Sequence, residues 1–270
     1  MKFSVSMCVY GKDNPDYFKL AVESVLNQTI KPSEIVLVVD GPVPEKLDLF
    51  IKTFAENPLF NIIRLEKNQG HGIARRTGLD NCSYDLVALM DADDLSVNNR
   101  FELQLNKFKE IKDLDIVGGN ISEFIECPQK IIGRRIVPES DLEIKAYLRK
   151  RCPMNQVTVM FKKESVQKVG GYVDWYCNED YYLWIRMVLA HMRFANVPDI
   201  LVNVRVGKDM YKRRGSWKYF KSESKIQWLL LKKKLISLPQ FLYNVLLRFC
   251  LQVLMPNGLR GVIFKAFARE

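Results

Sequence analysis

Residues 84 to 94, YDLVALMDADD, join a short apolar run to a cluster of aspartates. The run has the length and the apolar character of a buried strand. Asp91, Asp93 and Asp94 then gather three mutually repelling carboxylates where that strand ends. One aspartate is enough to cap the helix predicted from residue 98, whereas several carboxylates suit Mg²⁺ or Mn²⁺ shared with substrate phosphates. The stretch alone leaves a helix cap and a cation site both open.

The first part of the chain alternates strand patterns with helix patterns. Strand patterns cover 3–10, 34–40, 61–66 and 84–91, and helix patterns cover 16–29, 45–57, 70–82 and 98–111. This alternation predicts a parallel sheet with helices on both faces. Ligands bind at the carboxyl ends of the strands in such sheets, so Tyr10, Asp40 and the three aspartates are expected along one edge.

The patterns after residue 115 are shorter and less regular. Strands are predicted over 115–126, 130–137, 155–163 and 195–206, and helices over 141–151, 164–172 and 178–190. The last of these helices carries Glu179 and Asp180 in its first turn. Because the helix dipole favours acidic side chains there, this pair needs no functional role on its own.

The positive charge of the chain is concentrated at its C-terminal end. Residues 208–270 contain 14 basic and 3 acidic residues, a net charge of +11, whereas residues 1–207 contain 27 basic and 28 acidic residues. A basic segment of this kind attracts nucleic acid or an anionic membrane surface. A solvated basic face is the simpler interpretation.

Two helices are predicted in this basic segment, over 216–235 and 239–255. Polar residues recur every four positions on the second helix and leave the rest of it apolar: Gln240, Asn244, Arg248 and Gln252. Pro239 and Arg248 argue against a helix that spans a membrane. The pattern favours a helix that lies in a membrane interface, with docking on the rest of the chain or on another subunit as the alternative.

The six cysteines do not form a C-x-x-C pair, and the chain has two histidines. A zinc site is therefore not expected. Cys8 and Cys82 lie in or beside apolar runs and are predicted to be small core residues. The N-terminal apolar run is too short for a signal peptide, so a reducing cytosol is the expected compartment.

The segment NQGHGIARR, residues 68–76, adds basic side chains to the predicted edge. It fails as a G-x-G-x-x-G dinucleotide fingerprint, because the third glycine position is Arg75. Arginine fits phosphate geometry, so Arg75 and Arg76 are candidate phosphate ligands. His71 has no partner at ligand spacing and is predicted to be a loop residue.

These blocks, in this order, resemble the inverting family 2 glycosyltransferases of the GT-A fold, and most of all their bacterial amylovoran, capsule and O-antigen branch. The similar blocks are SVSMCVYGKD (4–13), VESVLNQT (22–29), EIVLVVDGP (34–42), LEKNQGHGIARRTGL (65–79), YDLVALMDADD (84–94) and NRFELQ (99–104). The resemblance covers residues 3–206. It implies a mixed, mostly parallel sheet flanked by helices, in a catalytic domain over 1–206. Residues 207–270 would form a basic, amphipathic helical tail that associates with membranes.

The resemblance also implies a role for each edge residue. The family's D-x-D motif matches Asp91-Ala92-Asp93, so Asp91 would contact the nucleotide sugar and Asp93, with Asp91, the Mn²⁺ or Mg²⁺. Asp40 would read a uracil-type base. Arg75 would help to hold the nucleotide, although Arg76 stands where the family has asparagine, so the choice between the two arginines is open.

Further residues of the donor and acceptor sites follow from the same resemblance. Cys8, Val9 and Tyr10 match the family's strand-one block and would contact the nucleotide.

Glu179-Asp180 matches the family's E-D pair, which makes Asp180 the general base. Three aromatic residues near this pair are candidates to line a sugar pocket at the acceptor: Trp175, Tyr176 and Trp184. The side chains that are candidates for the acceptor or the diphosphate are Asp94, Arg205, Arg213 and Arg214. For the aromatic residues a place in the core, and for the arginines a solvated turn, remain alternatives.

The implied function is that of a hexosyltransferase at the cytoplasmic face of the inner membrane. It would move a hexose or N-acetylhexosamine from a UDP-sugar to a saccharide on a lipid diphosphate, in O-antigen or exopolysaccharide assembly, without a nucleic-acid partner. A metal-dependent nucleotidyltransferase acting on a sugar phosphate is one alternative, but GKDNPDYF (11–18) lacks the glycine-rich basic loop expected after strand one. A nucleic-acid-binding module is another, and the acidic edge and the apolar tail helix argue against it.

Overall fold

A computed structural model describes residues 1–207 and 216–255 of the chain. The strands are β1 (Phe3–Tyr10), β2 (Glu34–Asp40), β3 (Phe60–Leu65), β4 (Leu86–Met90), β5 (Leu95–Ser96), β6 (Ile116–Phe124), β7 (Gly133–Arg135), β8 (Met160–Lys162) and β9 (Phe194–Arg205). The helices are α1 (Pro15–Leu26), α2 (Glu45–Ala55), α3 (His71–Asn81), α4 (Arg100–Glu110), α5 (Asp141–Leu148), α6 (Lys163–Lys168), α7 (Glu179–Leu189), α8 (Trp217–Lys232) and α9 (Leu238–Phe249). A 3₁₀ turn (Gln156–Thr158) precedes β8, and a π-helical segment (Cys250–Leu254) follows α9.

Within the described residues, nine strands join one mixed sheet in the order β3-β2-β1-β4-β8-β6-β9-β5, with β7 beside β6. The pairs among β3, β2, β1 and β4 are parallel, as is the long pair of β6 with β9. The shorter pairs made by β5, β7 and β8 are antiparallel. The predicted parallel sheet is therefore confirmed for the first four long strands, and the whole sheet is mixed with its longest pairings parallel.

Helix α3 lies unusually close to the sheet. A Cβ atom on Gly78 would fall 2.3 Å from Ser6 Oγ and 3.4 Å from the side chain of Val38. Only a residue without a side chain allows this distance, and it lets α3 run directly over β1 and β2. The first turn of α3 is thereby held at the carboxyl ends of these strands.

The segment 155–163 is not one strand as its pattern predicts. The Asn155 side chain donates to the backbone carbonyl of Gly119 at 2.8 Å, and the Thr158 hydroxyl donates to the Asn155 carbonyl at 2.7 Å. These side-chain bonds replace ladder bonds and favour a turn. The chain therefore forms a 3₁₀ turn first and only then the short strand β8.

Both α8 and α9 contact the sheet domain, and α8 contributes buried apolar side chains to that packing. Ile226 and Leu230 of α8 are fully buried and belong to the same apolar cluster as Trp184 of α7. The Asn178 amide donates to the Ser222 hydroxyl at 3.1 Å, next to the start of α7. The domain division at residue 207 stays a prediction. No helix within 1–207 or 216–255 is both long enough and apolar enough to cross a membrane.

Candidate active site

The carboxyl ends of β1, β2 and β4 meet at one edge of the sheet. Tyr10 and Asp40 are direct neighbours in the parallel register of β1 and β2. Met90, the last residue of β4, pairs with Met7 of β1, so Asp91 leaves the sheet beside them. The side chains predicted to share this edge therefore do share it.

Asp40 organises the loop that leads into α3. Its buried carboxylate accepts hydrogen bonds from the backbone N–H groups of Gln69, at 2.7 Å, and Gly70, at 3.0 Å. Gly41 has a φ of 84°, and a Cβ atom there would lie 2.5 Å from the backbone nitrogen of Asn68. Asp40 and Gly41 together bring the loop against the end of β2.

Arg75 is a fully buried cation beneath the acidic edge. Its guanidinium donates to the backbone carbonyls of Ser6, at 3.2 Å, and Met90, at 3.3 Å, and forms an ion pair with the carboxylate of Asp91. Burial disfavours the charge, but Asp91 favours it, and the pKa of Arg75 lies above its ordinary value. The side chain of Arg76 is 60% exposed. Of the two arginines, Arg75 is the one that faces the site.

His71 connects this cation to α7. The Arg75 Nε–H donates to His71 Nε2 at 3.2 Å, so the ring proton sits on Nδ1, which lies 2.8 Å from Glu179 Oε1. Asp91, Arg75, His71 and Glu179 form one continuous chain of polar contacts. The prediction of His71 as a loop residue was wrong, because it is the first residue of α3. The four-residue spacing of His71 and Arg75 on a predicted helix was the signal for their contact.

Asp180 has the environment of a general base. One carboxylate oxygen accepts from the Tyr181 backbone N–H at 2.6 Å, and the other is 3.5 Å from the Cys152 thiol. Burial, and then the negative charge of Glu179, raises the pKa of Asp180 to about 6. A carboxylate with this pKa is ionised near neutral pH and still accepts a proton readily.

The Asp91–Asp94 loop is fixed by backbone contacts to distant strands. Asp94 is buried, and its carboxylate accepts from the backbone N–H of Arg205 at 2.8 Å. Burial, together with Asp93 and Asp91, raises the pKa of Asp94 well above its ordinary value. Asp94 was assigned to the acceptor or the diphosphate, but its burial and this bond make it a support of the loop.

Arg205 holds the same loop from its other side. Its Nε–H donates to the Asp93 carbonyl at 3.2 Å, while its guanidinium lies 3.8 Å from the Tyr17 ring centroid and 4.6 Å from that of Phe124. Asp93 itself is exposed at the surface of the edge. Arg213 and Arg214, the other two predicted arginines, lie outside the described residues.

A fifth carboxylate of this edge was missed in the sequence. Asp13 accepts from the Tyr10 backbone N–H at 2.9 Å. Its pKa is raised to about 7 by burial and by the charges of Asp93 and Asp91, against the opposing bond from Tyr10. The only sequence signal was its position three residues beyond the end of β1.

Both predicted pocket tryptophans belong largely to the core. Trp184 is fully buried in the apolar cluster under α7, so it does not line a sugar pocket. Positions 180 and 184 lie on the same side of α7, but Trp184 is one turn further along the helix and is covered there by other side chains. Trp175 is partly buried and packs on Tyr182 with 4.6 Å between ring centroids.

The remaining donor-site candidates offer mostly backbone. Val9 and Ala92 are buried, so their backbone groups alone are available to a ligand. Cys8 is partly buried, and burial raises the pKa of its thiol to about 11, which keeps it protonated. Cys82 is buried in the core, as predicted.

The acidic edge fits a cation that is shared with a ligand. Among residues 1–207 and 216–255, no group of three His, Cys, Asp or Glu side chains is arranged to hold a metal by itself. Asp91 forms an ion pair with Arg75, and the Asp94 carboxylate accepts from the Arg205 N–H. Asp93 is exposed at the surface of the edge. Oxygen donors in this number suit Mg²⁺ or Mn²⁺ that completes its coordination with phosphate and water.

The chain is similar to bacterial glycosyltransferases along its whole length. Residues 4–170 match the family model for glycosyl transferase family 2. An uncharacterized glycosyltransferase of Haemophilus influenzae is 39% identical, with both chains fully covered. A UDP-Gal:alpha-D-GlcNAc-diphosphoundecaprenol beta-1,3-galactosyltransferase of Escherichia coli is 35% identical over 100% of this chain and 97% of its own. The amylovoran biosynthesis glycosyltransferase AmsE of Erwinia amylovora is 37% identical over 86% of each chain.

Solved structures agree at the level of the fold. S. aureus TarS 1-349 in complex with UDP-GlcNAc has a TM-score of 0.67 at 16% identity, over 93% of this chain and 73% of that one. A longer TarS chain is covered to 44% of its length. The mannosyltransferase PcManGT of Pyrobaculum calidifontis, in complex with GDP-Man and Mn²⁺, has a TM-score of 0.63 at 14% identity, over 99% and 73% of the two chains. The chain therefore belongs to glycosyl transferase family 2 and is a glycosyltransferase with the GT-A fold.

Proposed function

We propose that this enzyme transfers a hexose or N-acetylhexosamine from a UDP-sugar to a saccharide on a lipid diphosphate, with inversion at the anomeric carbon. One observation carries the proposal: Arg75 and His71 join Asp91, at the end of β4, to Glu179, beside the proposed base Asp180. A donor held at the first end of this chain of contacts would present its sugar towards the second. The acceptor class is supported by the diphosphoundecaprenol in the name of the E. coli relative. The donor class is supported by the complexes of TarS with UDP and with UDP-GlcNAc.

The nucleotide would lie across the ends of β1 and β2. Tyr10 is exposed there, and the backbone of Cys8 and Val9 borders the same edge. Asp40 already holds the loop into α3 with both carboxylate oxygens, and each oxygen has a further lone pair for a base N–H. Arg75 would act on the donor through Asp91, because its own guanidinium is fully buried.

The proposed reaction is a single displacement. Asp180 takes the proton of the acceptor hydroxyl while the hydroxyl oxygen forms a bond to the anomeric carbon. The bond from that carbon to the diphosphate oxygen breaks on the opposite face, and UDP leaves with the electron pair. Asp93, with Asp91, would hold Mn²⁺ or Mg²⁺, which when bound neutralises charge on the departing diphosphate.

The acceptor class also locates the enzyme. A saccharide on a lipid diphosphate remains at the membrane, so the enzyme would work as a peripheral protein at the cytoplasmic face of the inner membrane. Its pathway would be the assembly of O-antigen or exopolysaccharide repeat units. AmsE is named for amylovoran biosynthesis, and WbnJ of Escherichia coli, which is 29% identical over 92% of this chain, is named for O-antigen biosynthesis.

Acceptor-dependent release of UDP tests the proposed function. UDP-glucose, UDP-galactose and their N-acetyl forms are offered with a synthetic diphospholipid-linked sugar, with Mn²⁺, Mg²⁺ or a chelator. We expect one donor to release UDP in the presence of metal, and Asp93→Ala to lose the metal-dependent part of UDP binding. Asp80→Ala, exposed at the far end of α3, is the control and should behave as wild type.

Two outcomes would contradict this assignment. Pyrophosphate release from a nucleoside triphosphate and a sugar phosphate would identify a nucleotidyltransferase instead. If UDP bound equally tightly with metal and with chelator, the assignment of Asp93 as a ligand of the cation would be wrong.

Replacing Glu179 should move the pH dependence of the reaction. Its negative charge is the second cause, after burial, of the raised pKa of Asp180, while Arg135 and the Tyr181 N–H act in the opposite direction. Glu179→Gln should therefore lower the pKa of the base and shift the acid limb of kcat/KM to lower pH. Glu164→Gln, exposed on α6, should leave the limb in place. An unmoved limb in Glu179→Gln would show that another group sets it.

A further inference from the structure

Helix α9 is turned with its polar side inward. Asn244, Arg248 and Gln252 are all buried against the rest of the chain. The ordinary arrangement of a surface helix is the reverse, with its apolar stripe facing the core. This orientation therefore requires polar partners in the interior, and it leaves the apolar side of the helix exposed.

The cause is a set of polar partners on α8 and after α5. The Asn244 amide donates to Gln227 Oε1 at 2.8 Å and to the Arg149 carbonyl at 3.1 Å. Arg248 forms an ion pair with Glu223, with 2.6 Å between Nε and Oε2, and donates to a backbone carbonyl of residue 150 at 2.9 Å. If α9 were rotated about its axis, these polar groups would lose their hydrogen-bond and ion-pair partners. The contacts therefore fix the orientation of the helix.

The consequence is that apolar side chains of the helix pair are left exposed to solvent. We call this set the apolar ridge, and its exposed members are Trp217, Trp228, Leu238, Leu242, Tyr243, Leu246, Leu247 and Leu254. Trp228 packs on Phe241 with 5.9 Å between ring centroids, which joins the two helices into one surface. Single exposed leucines are common, but eight large apolar side chains exposed on two packed helices indicate an interaction surface.

Exposed lysines lie along α8 and directly after it. They are Lys218, Lys221, Lys225, Lys232, Lys233 and Lys234. Between residues 216 and 255 the only acidic residue is Glu223, and Arg248 neutralises it in the interior. The surface around the ridge is therefore cationic, and the partner that fits it is both apolar and anionic.

We propose that the apolar ridge of α8 and α9 docks into an anionic lipid bilayer, with its leucines and tryptophans at the boundary of headgroups and acyl chains. Interfacial helices combine an apolar face with flanking lysines in this way. A second copy of the chain fits less well, because a two-fold interface would bring the same lysines of both copies together. The biological role of this docking rests on the proposed function, since the docked ridge would hold the active site at the membrane that contains the lipid-linked acceptor.

Vesicle binding by full-length protein tests this surface. The probes are vesicles of phosphatidylglycerol with phosphatidylethanolamine, and of phosphatidylcholine alone, without donor or acceptor. We expect wild type to float with the anionic vesicles, and Leu242→Asp/Leu246→Asp to lose affinity by about tenfold or more. Leu49→Asp is the matched control, because Leu49 and Leu246 are each 62% exposed and Leu49 lies on α2.

Both replaced leucines are exposed, so the double variant should fold, and its thermal unfolding is compared with that of wild type. Equal vesicle binding by wild type and the double variant would overturn the proposal. A different result would also overturn it: wild type that forms a dimer and does not bind vesicles, together with a double variant that is monomeric by light scattering.

UDP release on a water-soluble acceptor should be unchanged in the double variant. A wild type that binds vesicles but releases no UDP would refute the proposed function and leave the docking surface standing.

Discussion

Asparagine in place of Asp180 is expected to lower kcat by about 10²- to 10⁴-fold, the range that a positioned general base contributes. In Asp180→Asn the side-chain oxygen can still accept from the Tyr181 N–H, so the first turn of α7 keeps its geometry. UDP affinity should stay close to that of wild type, because the nucleotide would lie at the far end of the Asp91–Glu179 contacts. Single-turnover rates and UDP titrations separate the two effects.

The same substitution should stabilise the fold at neutral pH. Folding raises the pKa of Asp180 from 3.8 to about 6, so the folded chain favours the protonated form. That contribution to stability is complete below the unfolded pKa and is lost as pH rises through 6. At pH 8 the charge of the partly buried Asp180 opposes folding, and removing it should add roughly 1–3 kcal/mol to the free energy of unfolding. At pH 4 the difference should be small.

Denaturant unfolding of wild type and Asp180→Asn at several pH values measures this term. Asp199→Asn, exposed on β9, serves as the control and should change stability little at any pH. If Asp180→Asn were slower but no more stable than wild type at pH 8, the ionised Asp180 carboxylate would not oppose folding, which would contradict its raised pKa. A variant with unchanged turnover would remove Asp180 as the base.

Local patterns in the sequence were sufficient for the first four long strands and their helices, because strand and helix periods are read from neighbouring residues. The contacts that build the site were beyond such patterns. His71 and Glu179 are 108 residues apart, and the Arg205 N–H that fixes Asp94 is 111 residues away. Nothing local to the aspartate cluster distinguishes Asp94, which is buried, from Asp93, which is exposed.

The C-terminal helix shows the same limit in a different form. The polar stripe of α9 was evident from its four-residue spacing, but spacing does not say which way a stripe faces. Glu223 and Gln227, on the preceding helix, supply the buried partners that turn Asn244 and Arg248 inward. Only the packing of α9 against α8 brings these groups together.

Methionine in place of Arg75 is expected to damage stability and catalysis together. Arg75 is fully buried, and its partners are the carbonyls of Ser6 and Met90, the ring of His71 and the carboxylate of Asp91. Breaking a buried ion pair usually costs about 3–5 kcal/mol, but the side chain of Asp91 is 34% exposed and regains some hydration. We therefore expect a loss of roughly 2–4 kcal/mol in the free energy of unfolding. Without their common partner, Asp91 and His71 would both lose their orientation, so kcat/KM should fall as well.

A double-mutant cycle separates the ion pair from the other contacts of Arg75. Asp91→Asn in the Arg75→Met background removes the uncompensated charge, so the double variant should be less destabilised than the sum of the two single changes. Arg76→Met is the matched control on the same helix, since its side chain is 60% exposed, and its effect should stay within about 0.5 kcal/mol. Equal stabilities of Arg75→Met and Arg76→Met would mean that the buried cation does not hold the strand ends together. Additive effects of Arg75→Met and Asp91→Asn would mean that the two side chains act independently, and the link from the donor end of the site to Glu179 would then have to begin elsewhere.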